Sequence, residues 1–454
     1  MRNQLFAVVF LAIVSVLFGQ SQPVVLTLQK CEELAFDHHP DIVDAKMGLE
    51  ISHVRKDQAS HARYLPKIEL RNVWGPVPRA RIQSTEEGFI TSPDTATTLR
   101  DLRFFTDVDF NLLQPIYTFG RISNLNRAAA HGVEVDEAKV EQSFNDVRVQ
   151  VREVYWGVLL GQELMAVVED ARREVDKAET KIREKLDEGS DEVSQKDLYK
   201  LQIFKYEINK RSREAEDKLT MARSALRALV GLNDNASFEL EADGIEQIGV
   251  ELDSLEFYLN AAAESRPEVR QLESGLLARR SLINMERSNF YPQFFFGGQI
   301  RYNYAYGRDN IRLPFLNDPT NFFRPGFVLG LNMNLNYVQV RDNVRMAQVE
   351  YNRLANRQVL LNEGIKIEVR KVWLAAKQAE SNLRDSRRAL RASDNWLRAE
   401  AQVFDLGVGE VKDFIDAYKA NGTMQAEHFQ NIYAYNTAIA RLSQAVGRDL
   451  YNLD

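Results

Sequence analysis

The stretch FDLGVGEVKDFIDA, residues 404–417, holds residue types that chemistry uses. Its Gly-x-Gly could cradle a phosphate, and Asp413 and Asp416, three apart, could form a carboxylate acid/base pair. A dinucleotide fingerprint needs a strand before the glycines and a third glycine at fixed spacing. Here a heptad-patterned helix precedes them and Lys412 stands at the third place, so the phosphate cradle is discarded. An acid/base pair needs a cleft, and no neighbouring pattern supplies one. What remains is a turn between antiparallel helices, with Gly407 and Gly409 flanking Val408 and permitting positive φ. Its counterpart is Gly189 in LDEGSDEVSQKDL, followed by Ser190 and Asp197. Four histidines, His38, His39, His53 and His61, lie near the N-terminus. His53 and His61 are eight apart on a helix, about 12 Å, too far to share a zinc ion. No nucleophile elbow, P-loop or metal-ligand spacing appears, so no enzyme activity, metal or cofactor is expected.

The elements that carry this turn are set out along a chain of 454 residues with 58 basic and 65 acidic side chains. A net charge of −7 without a basic block argues against nucleic acid as partner. Cys31 is the single cysteine, so no internal disulfide can form. Arg2, an apolar run over 5–18, and the small residues Gly19 and Ser21 read as a signal peptide over 1–21. No later run of 18 apolar residues offers a membrane-crossing helix.

Five pairs of short motifs recur in the same order at offsets falling from 227 to 216. HPDI at 39–42 matches RPEV at 266–269, and YLP at 64–66 matches FYP at 290–292. QPIYTFGR, ending at Arg121, matches NLNYVQVR, ending at Arg341. VREVYW at 151–156 matches VRKVWL at 369–374, and LVGL at 229–232 matches AVGR at 445–448. A duplicated chain follows. Its first repeat is 22–232, with a helix, a strand pair over 67–117 and a long helical hairpin over 120–231. A connector spans 233–253. The second repeat is 254–454, with a helix, a strand pair over 293–337 and a hairpin over 340–447.

The strands alternate strictly. Over 327–337, Phe327, Leu329, Leu331, Met333, Leu335 and Tyr337 share one face, opposite Asn332, Asn334 and Asn336. Over 104–112, Phe104, Val108, Phe110 and Leu112 oppose Asp107, Asp109 and Asn111; over 294–306, Phe294, Phe296, Ile300, Tyr302 and Tyr304 oppose Gln299, Arg301 and Asn303. Ile68 and Leu70 alternate with Lys67, Glu69 and Arg71. A soluble sandwich can alternate in this way, but length and aromatic ends favour a transmembrane barrel. The segments 75–100 and 307–325, rich in Pro, read as outward loops. Four strands cannot close a barrel, since about eight are the fewest that do, and lipid tolerates no open edge. Several chains must therefore share one barrel; three would supply twelve strands. The helices carry heptad seams, Val140, Phe144, Val147, Val151, Val154 and Val158 in the first half, and Val369, Ala376, Leu383, Leu390, Leu397 and Phe404 in the second. The 68 proline-free residues of 120–187 would make a rod of roughly 100 Å.

With these pieces in order, the chain resembles the TolC family of outer-membrane efflux proteins over essentially its whole mature length. LGVGEVKDFIDA resembles the family's second helical tip, and QPIYTFGR its strand-to-helix junction. The resemblance implies an α+β chain forming a homotrimer, with a twelve-stranded barrel in outer-membrane lipid and an α-helical tunnel in the periplasm. It implies passive export for an efflux pump or type I secretion system, through a periplasmic adaptor and an inner-membrane transporter. It places Asp413 and Asp416 at the tunnel's entrance constriction, where three copies would stack two acidic rings. It places adaptor docking at the tips, here Gly189, Ser190, Asp197, Gly407, Val408 and Gly409. Two features depart from the family. Phe404 and Gly409 stand where TolC itself has an aromatic hydroxyl and a basic side chain, and the first tip carries two extra residues, with Asp191 and Glu192 among the additions. The competing expectations are an outer-membrane barrel enzyme, which would need a serine–histidine pair on strands that contain no histidine, and a secreted coiled-coil scaffold.

Overall fold

The computed structural model describes residues 24–79, 82–85, 88–91, 99–188, 194–233, 236–308, 320–406 and 409–451. The signal peptide expected over 1–21 lies outside them. Among the described residues the order is β1 (Val24–Leu26), α1 (Leu28–His38), α2 (Pro40–Tyr64), β2 (Lys67–Pro78), β3 (Ile82–Thr85), β4 (Gly88–Thr91), β5 (Leu102–Tyr117), α3 (Arg121–Asp187), α4 (Gln195–Leu229), β6 (Phe238–Leu240), α5 (Leu255–Ser265), α6 (Pro267–Arg287), β7 (Gln293–Ala305), β8 (Phe322–Asn332), α7 (Tyr337–Asp405) and α8 (Val411–Val446). The chain is mostly helical, with one four-stranded antiparallel sheet. No helix among the described residues is long and apolar enough to cross a membrane. Two compact units form. One contains the described parts of Met1–Gly48, Glu137–Arg270 and Gln358–Asp454; the other is Leu49–Asp136 with Gln271–Arg357.

The recurring motifs are structural corners. The hydroxyl of Thr27 caps α1 by accepting the Lys30 amide at 2.9 Å, and Ser254 caps α5 by accepting the Phe257 amide at 3.3 Å. Both helices end on a residue with φ −65° and ψ 127°, His39 and Arg266, each donating its N–H to an alanine carbonyl. The cause is the next residue: Pro40 and Pro267 drive the preceding residue extended and then open a helix at its first position. LVGL and AVGR likewise place Gly231 and Gly447 in the left-handed region, at φ 69° and 76°, where a helix C-terminus selects glycine.

In the first unit part of each heptad seam is buried. Val147, Val151 and Val158 of α3 pack in one core with Val369, Ala376 and Leu383 of α7 and with Tyr435, Ile439 and Leu442 of α8. The stretch expected as a connector does more than connect. β6 pairs in parallel with β1, and Ile245 and Ile248 are buried. Asn436, fully buried, accepts the Ile248 amide at 3.1 Å and donates to the Glu246 carbonyl at 2.8 Å. Burial takes the Cys31 thiol up to about 12, which keeps it neutral and unreactive.

The second unit holds the sheet, in the order β2-β5-β7-β8. Its register aligns Leu70, Phe110, Ile300 and Pro325 in one cross-strand row and Asn72, Val108, Tyr302 and Phe323 in the next. The strand read over 327–337 runs Phe322–Asn332 instead, and Tyr337 opens α7. Local capping explains this correction. Asn336 accepts the Gln339 amide at 3.3 Å, so the last of the asparagines counted as a polar strand face starts a helix instead. In the first half the same motif turns differently: Phe119 (φ 48°) and Gly120 (φ 91°) make a left-handed corner, held by Ser288 donating to the Phe119 carbonyl at 2.9 Å. Val340 occupies the place of Gly120 and cannot take that route cheaply.

The expected loops are also shorter than 75–100 and 307–325. β2 continues through Pro76 to Pro78, the hairpin β3–β4 follows, and β8 includes Pro325. β2 and β8 are the outer strands of the sheet, where proline is tolerated; Pro115, in the interior strand β5, sits at a register shift.

Candidate functional site: the helical tips

The turns at the ends of α3 and α7 are built on one small apolar core. Val175 and Ile182 of α3, Leu198, Leu201 and Phe204 of α4, and Val411, Phe414 and Ile415 of α8 are buried together. Phe404 stacks on Phe414 with ring centroids 4.7 Å apart, and Phe414 leads to Tyr418 at 5.9 Å. The Tyr418 hydroxyl reaches Asp170 at 3.3 Å. Burial first, and the neighbouring Asp170 charge second, raise this phenol well above its usual range, so it is a donor at all ordinary pH.

Asp413 and Asp416 lie in the first two turns of α8, both exposed. They flank the buried Phe414 and Ile415, which fixes the face they share. Among the described residues neither carboxylate is held by a hydrogen bond or ion pair. Asp197, at the matching third position of α4, behaves oppositely. Its carboxylate accepts the Ser194 amide at 3.2 Å and hydroxyl at 2.7 Å, and pairs with Lys200 at 3.0 Å. Burial opposes its charge, but these hydrogen bonds outweigh it and hold Asp197 below the usual carboxylate range. Asp197 is thus a capping-box acid. The structure brings Asp197 into a cap and leaves the other pair unengaged.

The expectation at Gly409 is freedom for positive φ; the structure adds a steric reason for glycine there. A Cβ there would sit 2.9 Å from the Phe404 amide nitrogen and 3.1 Å from its Cα, so close backbone approach selects glycine. Gly189, Ser190, Asp191, Glu192, Gly407 and Val408 lie outside the described residues.

Several tip residues left no trace in the sequence. Lys181 pairs with Asp405 at 2.7 Å, tying α3 to α7, and Lys419 pairs with Glu207 at 2.9 Å, tying α8 to α4. Lys205 bridges Asp176 at 2.7 Å and Glu179 at 2.9 Å. Partners so remote in sequence give no periodic signal. The histidines fall where capping or solvent suits them: the His38 ring lies 3.1 Å from the Leu34 carbonyl at the end of α1. No cluster of potential metal ligands occurs among the described residues.

No protein-family model and no curated protein matches the chain in sequence. Solved structures do. The open state of the Neisseria gonorrhoeae MtrE outer membrane channel superposes with a TM-score of 0.73 at 14% identity, covering 93% of this chain and 89% of that one. The Campylobacter jejuni CmeC outer membrane channel gives 0.70 at 15% identity, over 93% and 86%. The outer membrane protein VceC of Vibrio cholerae gives 0.67 at 15% identity, over 93% and 96%. The chain has the TolC-type outer-membrane channel fold.

Proposed function

We propose that the protein is an outer-membrane channel-tunnel that gives passive exit to substrates of a tripartite efflux pump or type I secretion system. One observation carries this reading. All eight charged residues of β2, β5, β7 and β8 lie on one face of the sheet, and the opposite face, with Leu70, Trp74, Phe104, Phe323, Phe327 and Leu329, has none. Phe327 and Leu329 are each 75% exposed. A charge-free aromatic face, with the outer edges of β2 and β8 unpaired among the described residues, suits lipid only after other copies close the sheet. Three copies close a twelve-stranded barrel, so the functional unit is a homotrimer in the outer membrane, its helices in the periplasm. The paired corners at Thr27–Pro40 and Ser254–Pro267 support the internal duplication into 22–232 and 254–454 about the connector 233–253.

Purified trimer added to a planar lipid bilayer should form stable pores. Absence of current from both the native protein and an Asp413→Ala/Asp416→Ala variant would contradict the channel reading.

The tips are the proposed docking points for a periplasmic adaptor, which links the channel to an inner-membrane transporter. Gly409→Val forces a side chain into the Phe404 backbone and displaces the turn. Crosslinking to the adaptor should fall severalfold while trimer yield persists, at a local cost of about 1–3 kcal/mol. Undiminished crosslinking and transport would argue against docking at this tip.

A barrel enzyme finds no support in the side chains. Ser386 and His428 do approach to 3.1 Å, but on helices α7 and α8 rather than strands. The hydroxyl is buried and bonded to the Leu383 carbonyl, and among the described residues no acid orients the imidazole.

A further inference from the structure

The charged face of the sheet concentrates arginine in a single row. Arg71, Asp109, Arg301 and Arg324 are direct cross-strand neighbours, one from each strand. Three guanidiniums and one carboxylate thus share one row. Asp109 lies 3.7 Å from Arg71 and is further occupied by the Gln299 amide at 3.0 Å. Arg301 turns to Asp107, in the next row, at 3.4 Å. Across the whole face five basic residues, Lys67, Arg71, Arg103, Arg301 and Arg324, stand against three acidic ones, Glu69, Asp107 and Asp109.

Two details set this row apart from a salt-bridge ladder. Arg301 and Arg324 are directly opposite each other, and like charges in that relation destabilise a sheet. Both also lie against the ring of Phe322, at 5.9 Å and 4.0 Å from its centroid. A guanidinium resting on a ring keeps its planar N–H edge for acceptors in its own plane, the geometry that carboxylates and phosphates fit. The Nε–H of Arg301 is buried with no hydrogen-bond partner among the described residues.

We propose that this row is an anion-binding belt on the channel wall, taking soluble multivalent anions that bear phosphate or carboxylate groups. The inference rests on the channel reading, which puts the charged face toward the lumen. Three copies would then set nine arginines around one level of the barrel. An anion there relieves the Arg301–Arg324 repulsion.

The test adds inorganic pyrophosphate on the barrel side of pores in a planar bilayer. Native pores should show a concentration-dependent fall in current, and Arg71→Gln/Arg301→Gln/Arg324→Gln pores should need at least about tenfold more pyrophosphate for the same fall. The triple lysine variant keeps the charge and should retain most of the effect. Should the triple glutamine variant not assemble, Arg301→Gln and Arg324→Gln singly should each weaken the block. Native pores that conduct but ignore pyrophosphate, or glutamine variants that respond as native, would overturn the belt and leave the channel standing. Absence of pores from every variant would overturn both.

Discussion

Pores formed by the Asp413→Ala/Asp416→Ala variant should conduct more than native pores and lose most of their preference for cations. Three copies of α8 around one axis would stack two rings of carboxylates at the tunnel entrance. A narrow acidic ring concentrates cations and raises a barrier to anions. Both aspartates are exposed and lack protein partners among the described residues, so their charge is available to the pore. The cation-to-anion permeability ratio should therefore drop by about tenfold, and block by multivalent cations from the periplasmic side should vanish. The competing role is complementing the α8 dipole, worth about 0.3–1 kcal/mol at an exposed helix start. A helix-start role alone leaves conductance, selectivity and block unchanged. Unchanged values would send the search for the constriction to Asp191, Glu192 and Asp197 of the other tip.

The largest stability effect is expected at Arg152. Its side chain is 2% exposed and donates to Glu32 at 2.7 Å and to both oxygens of Asp449 at 2.7 and 2.8 Å. Burial favours protonated Asp449, but hydrogen bonding and the charge of Arg152 win, so its carboxyl lies below the usual range. Arg152→Ala leaves Glu32 and Asp449 largely buried with only the more distant Arg148, 3.8 Å from Glu32, to offset their charges, and should cost about 3 kcal/mol at neutral pH. The sign with pH follows from linkage. Because the folded-state value is depressed, the native protein holds this stability above the ordinary aspartate pKa and loses it as pH falls through the depressed value. In the variant burial dominates, and protonating Asp449 relieves the defect. Thermal melts should show a wide gap between native and variant at pH 7, narrowing toward pH 4. Equal gaps at both pH values would assign the loss to packing alone.

Arg152 also shows where sequence reasoning stops. VREVYW and VRKVWL, read as equivalent, fall on α3 and α7, where Val151 and Val369 are both buried. The aligned arginines, however, part company: Arg152 is buried in an ion-pair network and Arg370 is exposed. Periodicity identifies the inward face of a helix but not a partner 297 residues away, such as Asp449. The alternation of Phe, Val, Tyr and Leu separated the sheet's two faces, because a one-residue slip would invert every side chain; which strands pair, and in what register, it did not carry. It misplaced the end of β8, since asparagine alternation is equally the pattern of a polar strand face and of capping residues before a helix. The small strands β1 and β6 escaped because three residues show no period. At the tips, Asp413, Asp416 and Gly409 were read as a site, but the reason for glycine at 409 was not legible. It is the Phe404 backbone, close to the turn, that excludes a side chain.

The central claim is that three copies close one lipid-embedded barrel through the open edges of β2 and β8. The most direct check is the protein mass in purified, detergent-solubilised particles, by light scattering with the detergent contribution subtracted. The account predicts three chains of at most 52.1 kDa each per particle, and aggregation when detergent is withdrawn. A stable monomer that stays in solution without detergent would contradict both the barrel and the channel.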